Sequence, residues 1–277
     1  VWGGGLIGGT IGALDFAGGD VVHISSGVTG LVICLILGKR KGFGHMTSGA
    51  HNTPMVALGA ALLWFGWFGF NAGSALGDSF GNADGECVAA IAAMNTLIAS
   101  AAACVSWMVT DKIATGKSTL VGACTGLVAG LVVITPAAGF VEAWAALIMG
   151  IVVSPICFFC VSKLKYKLGY DDALDAFGCH GIGGIVGGIL TGIFCVPELS
   201  WTDYGGLLYT GDPSLLISQI LGIVITIVFV AIATAIIAFI VKACFGGSLA
   251  VKAADEGQGM DVAQHGESAY PAFDGLD

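Results

Sequence analysis

Long apolar runs separated by short polar gaps dominate the chain. They lie at roughly 20–38, 54–76, 87–110, 118–135, 141–162, 176–197 and 214–241, and each is long enough to cross about 30 Å of hydrocarbon as a helix rising about 1.5 Å per residue. The stretch before them, residues 1–19, is too broken by glycine and by Asp15 to form an ordinary span. The pattern predicts an all-α membrane protein, a helical bundle of seven transmembrane helices over residues 1–252, followed by a polar tail at 253–277.

The charges support that count. Lys39, Arg40 and Lys41 follow the first run, Lys112 and Lys117 the third, Lys163, Lys165 and Lys167 the fifth, and Lys242 and Lys252 the seventh. The gaps after the second, fourth and sixth runs hold Asp78, Asp84, Glu86, Glu142, Glu198, Asp203 and Asp212 and no basic residue. Lys and Arg collect in the short loops on the cytoplasmic side. The first run therefore goes from outside to inside, and the C-terminal tail is cytoplasmic. One crossing more or fewer would scatter the basic residues over both sides.

Composition excludes a soluble domain: 56% of the residues are hydrophobic and 10% charged, with a mean hydropathy of +0.91. The 45 glycines recur inside the apolar runs, which suits helices packed backbone to backbone in lipid. The net charge of −9 does not mark a nucleic-acid or acidic-substrate surface, because six acids and one lysine from Lys252 onward supply −5 of it. The nine cysteines fall mostly within apolar runs, without an extracellular framework spacing, and behave as small buried hydrophobes. No basic segment with a cleavage site precedes the first run, so the chain is expected to be an N-terminally incomplete piece of a longer protein.

Two parts of the chain echo each other. Ala13-Leu14-Asp15 leads to His23 and then Thr29-Gly30; Ala173-Leu174-Asp175 leads to His180 and then Thr191-Gly192. An Asp also stands eight residues before each histidine, Asp15 before His23 and Asp172 before His180. The two runs cross in opposite directions, the signature of an inverted repeat with a transport site near the midplane.

An ionisable side chain inside a membrane span is costly and is a functional candidate by default. His23 and His180 each lie within about two turns of a predicted helix start, so the glycine-rich segments before them are expected to dip into protein-lined membrane depth. Two facing neutral imidazoles can share one hydrogen bond and present their remaining nitrogens to a passing solute. The alternative is two separate packing histidines, which the shared Asp spacing and opposed topology disfavour. Asp15, Asp172 and Asp175 fit helix capping better than direct ligation.

Four motifs narrow the class: Trp2-Gly3-Gly4-Gly5; Ala13-Leu14-Asp15-Phe16-Ala17-Gly18-Gly19 with Val22-His23; Gly66-Trp67-Phe68-Gly69-Phe70-Asn71-Ala72-Gly73-Ser74; and Phe177-Gly178-Cys179-His180-Gly181. They closely resemble the ammonium transporter family of bacteria, fungi and plants, the Amt/Mep branch rather than its Rhesus-type relatives. The resemblance covers nearly the whole chain and extends into the tail, from Gly259-Met260-Asp261 to His265-Gly266-Glu267-Ser268-Ala269-Tyr270.

The resemblance implies an eleven-helix protomer with an inverted five-helix repeat, of which the seven runs here would be helices five to eleven, and a homotrimer with one pore per subunit. It also implies His23 and His180 as the paired pore histidines, Trp2, Phe70 and Ser74 as the outer vestibule that recruits ammonium, Trp67 as pore lining, and Asp15 as structural support. A further outer-gate aromatic would belong to the missing N-terminal helices. The tail would dock on the inner loops, couple neighbouring subunits and offer a surface to a PII-type regulator. An integral protein of the plasma membrane follows.

The implied mechanism is physically coherent. A cation can exchange water for the faces of Trp2 and Phe70, each contact worth about 0.5–2 kcal/mol, while Ser74 accepts a hydrogen bond that potassium cannot donate. A bare ion in an apolar lumen costs several kcal/mol or more. Ammonium therefore sheds its proton and crosses as ammonia while the proton travels by way of the histidines.

Other signals are weaker. The glycine-rich run 181–188 follows no predicted strand and suits close helix packing rather than a dinucleotide. Gly116-Lys117-Ser118 has Asp111 where a phosphate loop needs glycine, Cys157 and Cys160 flank two phenylalanines at lipid depth, and His45 and His51 sit in a solvated loop. With no nucleophile, metal cluster or cofactor loop beside the histidines, an enzyme is not expected. An ammonium sensor with the same pore and a passive channel for a neutral solute are the competing functions.

Overall fold

The computed structural model describes residues 1–2, 4–44, 49–76, 87–200, 202 and 204–269. Of the residues singled out above, Gly3, His45, Asp78, Asp84, Glu86, Asp203 and the tail from Tyr270 onward lie outside the described residues. Among the described residues the chain is all-helical, with no strand. The α-helices are α1 (Ser25–Leu37), α2 (Thr53–Gly73), α3 (Val88–Thr115), α4 (Leu120–Ile134), α5 (Ala143–Phe159), α6 (Lys165–Leu168), α7 (Ile182–Phe194), α8 (Leu207–Thr210), α9 (Ser214–Cys244) and α10 (Ala253–Gln258).

Among the described residues, six helical stretches are long and apolar enough to cross a membrane: Gly19–Leu37, Thr53–Gly73, Val88–Thr115, Ala143–Leu168, Phe177–Phe194 and Ser214–Cys244. They correspond to six of the predicted runs. The remaining run, 118–135, forms α4, whose 15 residues reach only about 22 Å. Its start is capped by Thr119, whose hydroxyl accepts from Gly122 N–H at 3.0 Å.

Pro136 explains where α4 stops, because it has no N–H and its ring disfavours helical backbone in the residue before it. The chain continues from Thr135 to Val141 as turns buried inside the protein. Irregular backbone at such depth needs internal partners. The Thr135 and Pro136 carbonyls accept from Ala17 and Phe16 N–H, and that of Phe140 accepts from Val196 N–H. The Asn95 amide on α3 donates to the Ala138 and Val141 carbonyls at 2.9 and 2.7 Å.

The centre of the bundle packs α3 against α4 and α5 through small residues. At Gly130 a methyl group would lie 2.6 Å from the Ala103 Cβ and 2.7 Å from the Ser100 Cα, so these helices touch along their backbones. The outer faces are apolar as well: Phe65 on α2 is 81% exposed, and α9, apolar on all sides, buries little of its length. Lipid is the solvent such faces require.

Charged residues gather where the loop after α1 meets the loop before residue 177. Arg40 grips Asp171 through Nε and Nη2 at 2.9 and 2.6 Å, and its backbone N–H adds a third bond at 2.7 Å. These bonds hold the Asp171 carboxyl below the usual carboxylate range. The tail touches the same place: Lys41 N–H donates to Glu256 of α10 at 2.6 Å. The tail is thus helical at α10, where composition alone predicts a disordered end.

Candidate functional site

Both histidines sit in short π-helical segments that lead into α-helices: His23 in Gly19–Ile24 ahead of α1, and His180 in Phe177–Gly181 ahead of α7. A carboxylate stands at the start of each segment. The Asp15 side chain accepts N–H bonds from Gly18, Gly19, Asp20 and Val21, and the Asp172 side chain accepts from Ala176 and Phe177 at 3.1 and 2.8 Å. Backbone N–H groups that begin a helix have no intrahelical partner. The Asp eight residues before each histidine supplies that partner.

Glycine then brings the two segments together. A Cβ on Gly27 would overlap the backbone N and Cα of Gly181, so the elements cross there with nothing between them. Next to this crossing His23 Nδ1 and His180 Nδ1 lie 3.2 Å apart, a hydrogen bond in which one nitrogen donates and the other accepts. The ring centroids are 5.3 Å apart and the planes tilt by 37°.

Aromatic side chains frame the pair. Trp67 stacks on the His23 ring at 5.1 Å and 16°, and Phe70 leans on it at 5.9 Å. His23 is only 3% exposed. Both histidines, Trp67, Phe70 and the aliphatic Leu62 and Leu63 border one cavity of about 590 Å³. Apart from the two histidines and Ser26 the wall is apolar, and an uncharged solute enters such a wall at lower cost than a bare ion.

A second cavity, of about 580 Å³, is bordered by Trp2, Asp15, Phe16 and Ser74. Trp2 is 53% exposed, and its indole N–H donates to the Asp15 carbonyl at 2.9 Å. The Ser74 hydroxyl donates to the Phe70 carbonyl at 2.8 Å, which leaves its oxygen lone pairs to accept from a solute.

The family model described as Ammonium Transporter Family matches residues 1–270. The chain belongs to the ammonium transporter family. An ammonium transporter of Bacillus subtilis is 51% identical over 98% of this family member and 64% of its own length, and one of Aquifex aeolicus is 49% identical over 98% and 60%. This family member therefore spans about three-fifths of the length of these two relatives. The crystal structure of Saccharomyces cerevisiae Mep2 superposes with a TM-score of 0.78 at 39% identity, over 88% of the chain and 54% of Mep2. A solved sensor Amt protein gives 0.79 at 27% identity, over 91% and 60%. With its candidate spans, the family member is an integral membrane protein.

The structure of this ammonium transporter family member divides the predicted site residues between two places. His23, His180, Trp67 and Phe70 meet in one cavity, while Trp2, Ser74 and Asp15 border the other, so the three expected vestibule residues do not share a wall. The echo of Asp15 in Asp175 is not structural. Asp175 has a left-handed backbone, φ 56°, and its carboxylate pairs with Lys165, whereas Asp172 occupies the capping position.

One site residue was missed. The Thr135 hydroxyl contacts His23 Nε2 at 3.2 Å, accepts from Trp67 Nε1 at 3.0 Å, and donates to the Leu131 carbonyl at 2.8 Å. Its signal in the sequence is faint: a polar residue closing an apolar run just before a proline.

Proposed function

We propose that this chain forms the conducting part of an ammonium transporter. Ammonium is recruited from the outside at Trp2, Phe70 and Ser74, loses its proton, and crosses as ammonia past Trp67 while His23 and His180 relay the proton. The reading is carried by one observation, the Nδ1-to-Nδ1 bond of 3.2 Å between two histidines beside an apolar cavity. Phe70 and the histidines border the same cavity, which supports a short route between recruitment and deprotonation. Asp15 takes no part as a ligand in this scheme, since its oxygens are engaged by four backbone N–H groups.

The same proposal extends to architecture. Residues 1–252 make seven crossings, α4 with its buried turns completing the fourth, and these are helices five to eleven of an eleven-helix protomer. The protomers form a homotrimer in the plasma membrane, with residues 253–277 as a cytoplasmic tail available to a PII-type regulator. The bond from Lys41 to Glu256 supports docking of that tail on the inner loops.

The test is the ammonium-dependent current of the intact protein with both histidines changed to alanine. Loss of the current is expected; a current of wild-type size removes the relay. The solved sensor Amt relative favours one second reading, that the pore detects ammonium rather than supplying it. Currents that rise with ammonium and saturate distinguish transport from that reading.

A further inference from the structure

We propose that Thr135 fixes the proton arrangement of the histidine pair, so that His180 Nε2 is the base and His23 is the proton holder. The inference rests on the relay reading only for its transport consequence; the proton positions follow from counting donors. A hydroxyl has one proton and two lone pairs, and the indole N–H of Trp67 can only donate. Thr135 Oγ1 has three partners: the Leu131 carbonyl at 2.8 Å, Trp67 Nε1 at 3.0 Å and His23 Nε2 at 3.2 Å.

The fold decides where the single proton goes. At the end of α4 the Thr135 backbone N–H is used by the Val132 carbonyl at 3.2 Å, and Pro136 has no N–H to offer. The Leu131 carbonyl, on a residue with no solvent exposure, takes the Thr135 hydroxyl proton instead. The oxygen is then left with acceptor capacity alone. Trp67 fills one lone pair and His23 must fill the other by donating from Nε2.

The rest follows around the ring. A neutral His23 with its proton on Nε2 has a bare Nδ1, so the bond of 3.2 Å to His180 is donated by His180 Nδ1. That leaves His180 Nε2 as the bare nitrogen. It has no hydrogen-bond partner among the described residues, and the His180 ring borders the cavity of about 590 Å³. His23 offers a passing solute no lone pair at all.

In the transfer step an N–H bond of ammonium breaks, its electron pair stays on nitrogen, and ammonia is released as the proton binds His180 Nε2. His180, now an imidazolium, passes its Nδ1 proton to His23 Nδ1. His23 holds the charge with its Nε2 proton still on Thr135, and it hands the Nδ1 proton back across the same bond when His180 Nε2 releases its own to water, which restores the starting arrangement. Thr135 touches no substrate and is a positioning residue.

The decisive measurement is the ring 15N spectrum of the intact wild-type protein in lipid nanodiscs with labelled histidine. Expected are protonated Nε2 and bare Nδ1 on His23, and the reverse on His180; His23 protonated at Nδ1, or a mixture of both forms, overturns the proposal. Thr135→Val, which keeps the shape and loses the hydroxyl, should replace the single pattern with a mixture and lower the ammonium-dependent current about tenfold, the loss of one ordinary hydrogen bond. Thr135→Ser should restore both, and a Ser variant that behaves like Val overturns the assignment. If the wild-type spectrum is as expected but the double alanine variant keeps its current, the relay fails and the proton arrangement stands.

Discussion

Changing Gly27 to alanine tests whether the histidine pair depends on the backbone crossing beneath it. The new Cβ would overlap the backbone N and Cα of Gly181 and lie 3.2 Å from the Ala176 carbonyl oxygen, so no side chain can rotate to make room. Restoring van der Waals contact requires the two elements to part by about 1 Å. His23 lies one helical turn before Gly27, and His180 immediately before Gly181. Their nitrogens are 3.2 Å apart, and a further 1 Å or so takes them past the distance at which a hydrogen bond holds. Overpacking of this kind costs about 1–3 kcal/mol, which lowers the population with the pair intact about 5- to 150-fold. The assay pairs thermal unfolding in nanodiscs with ammonium-dependent current. Gly69→Ala on α2, where a methyl group meets nothing within 4 Å, is the control that should behave as wild type. A Gly27→Ala protein with wild-type stability and undiminished current would refute the crossing as the support of the pair.

Three further outcomes follow from other contacts. Asp172→Ala removes the acceptor for Ala176 and Phe177 N–H and should destabilise the His180 segment by about 1 kcal/mol; faster hydrogen exchange at these two amides is the measurement, and unchanged exchange contradicts the cap. Trp67→Phe keeps a ring over His23 but removes the donor to Thr135, and should lower the current by up to about tenfold without abolishing it; complete loss would mean that the indole does more than donate. Asp171→Asn should cost about 1 kcal/mol at neutral pH, since the Arg40 side chain is 54% exposed and the pair is partly screened. The folded carboxyl is held below its unfolded value of about 3.9, so its contribution is complete above that value and is lost as pH falls through the folded one; melting temperatures of variant and wild type should converge on acidification, and a constant gap sinks the ion-pair account.

How far the sequence was informative depended on the kind of interaction concerned. Apolar runs and the glycines within them are properties of single segments, and they marked the six helical stretches long enough to cross a membrane and α4, which ends one residue short of the predicted boundary at 135, but not the short helices α6, α8 and α10. What the runs did not carry was the depth of a crossing. The segment after Pro136 is apolar like a helix, yet its backbone is served by Phe16, Ala17, Asn95 and Val196, partners scattered along the chain.

The histidines stood out because a titratable group in an apolar run is conspicuous alone. The spacing to Asp15 and Asp172 had a local cause, the capping of a helix start, so it too could be found by counting. Asp175 shows the limit of counting: the tripeptide Ala173-Leu174-Asp175 matches Ala13-Leu14-Asp15, but a left-handed backbone turns its carboxylate toward Lys165. Thr135 shows it more sharply. A threonine before a proline is an ordinary helix end, and nothing local says that its hydroxyl meets Trp67 on another helix and His23 more than a hundred residues away. Yet the same local rule, that Pro136 withholds an N–H, accounts for the hydroxyl proton on the Leu131 carbonyl, the bond on which the proposed arrangement of the pair depends. The histidines can be picked out one at a time, whereas the proton arrangement proposed for them rests on the termination of a helix neither histidine belongs to.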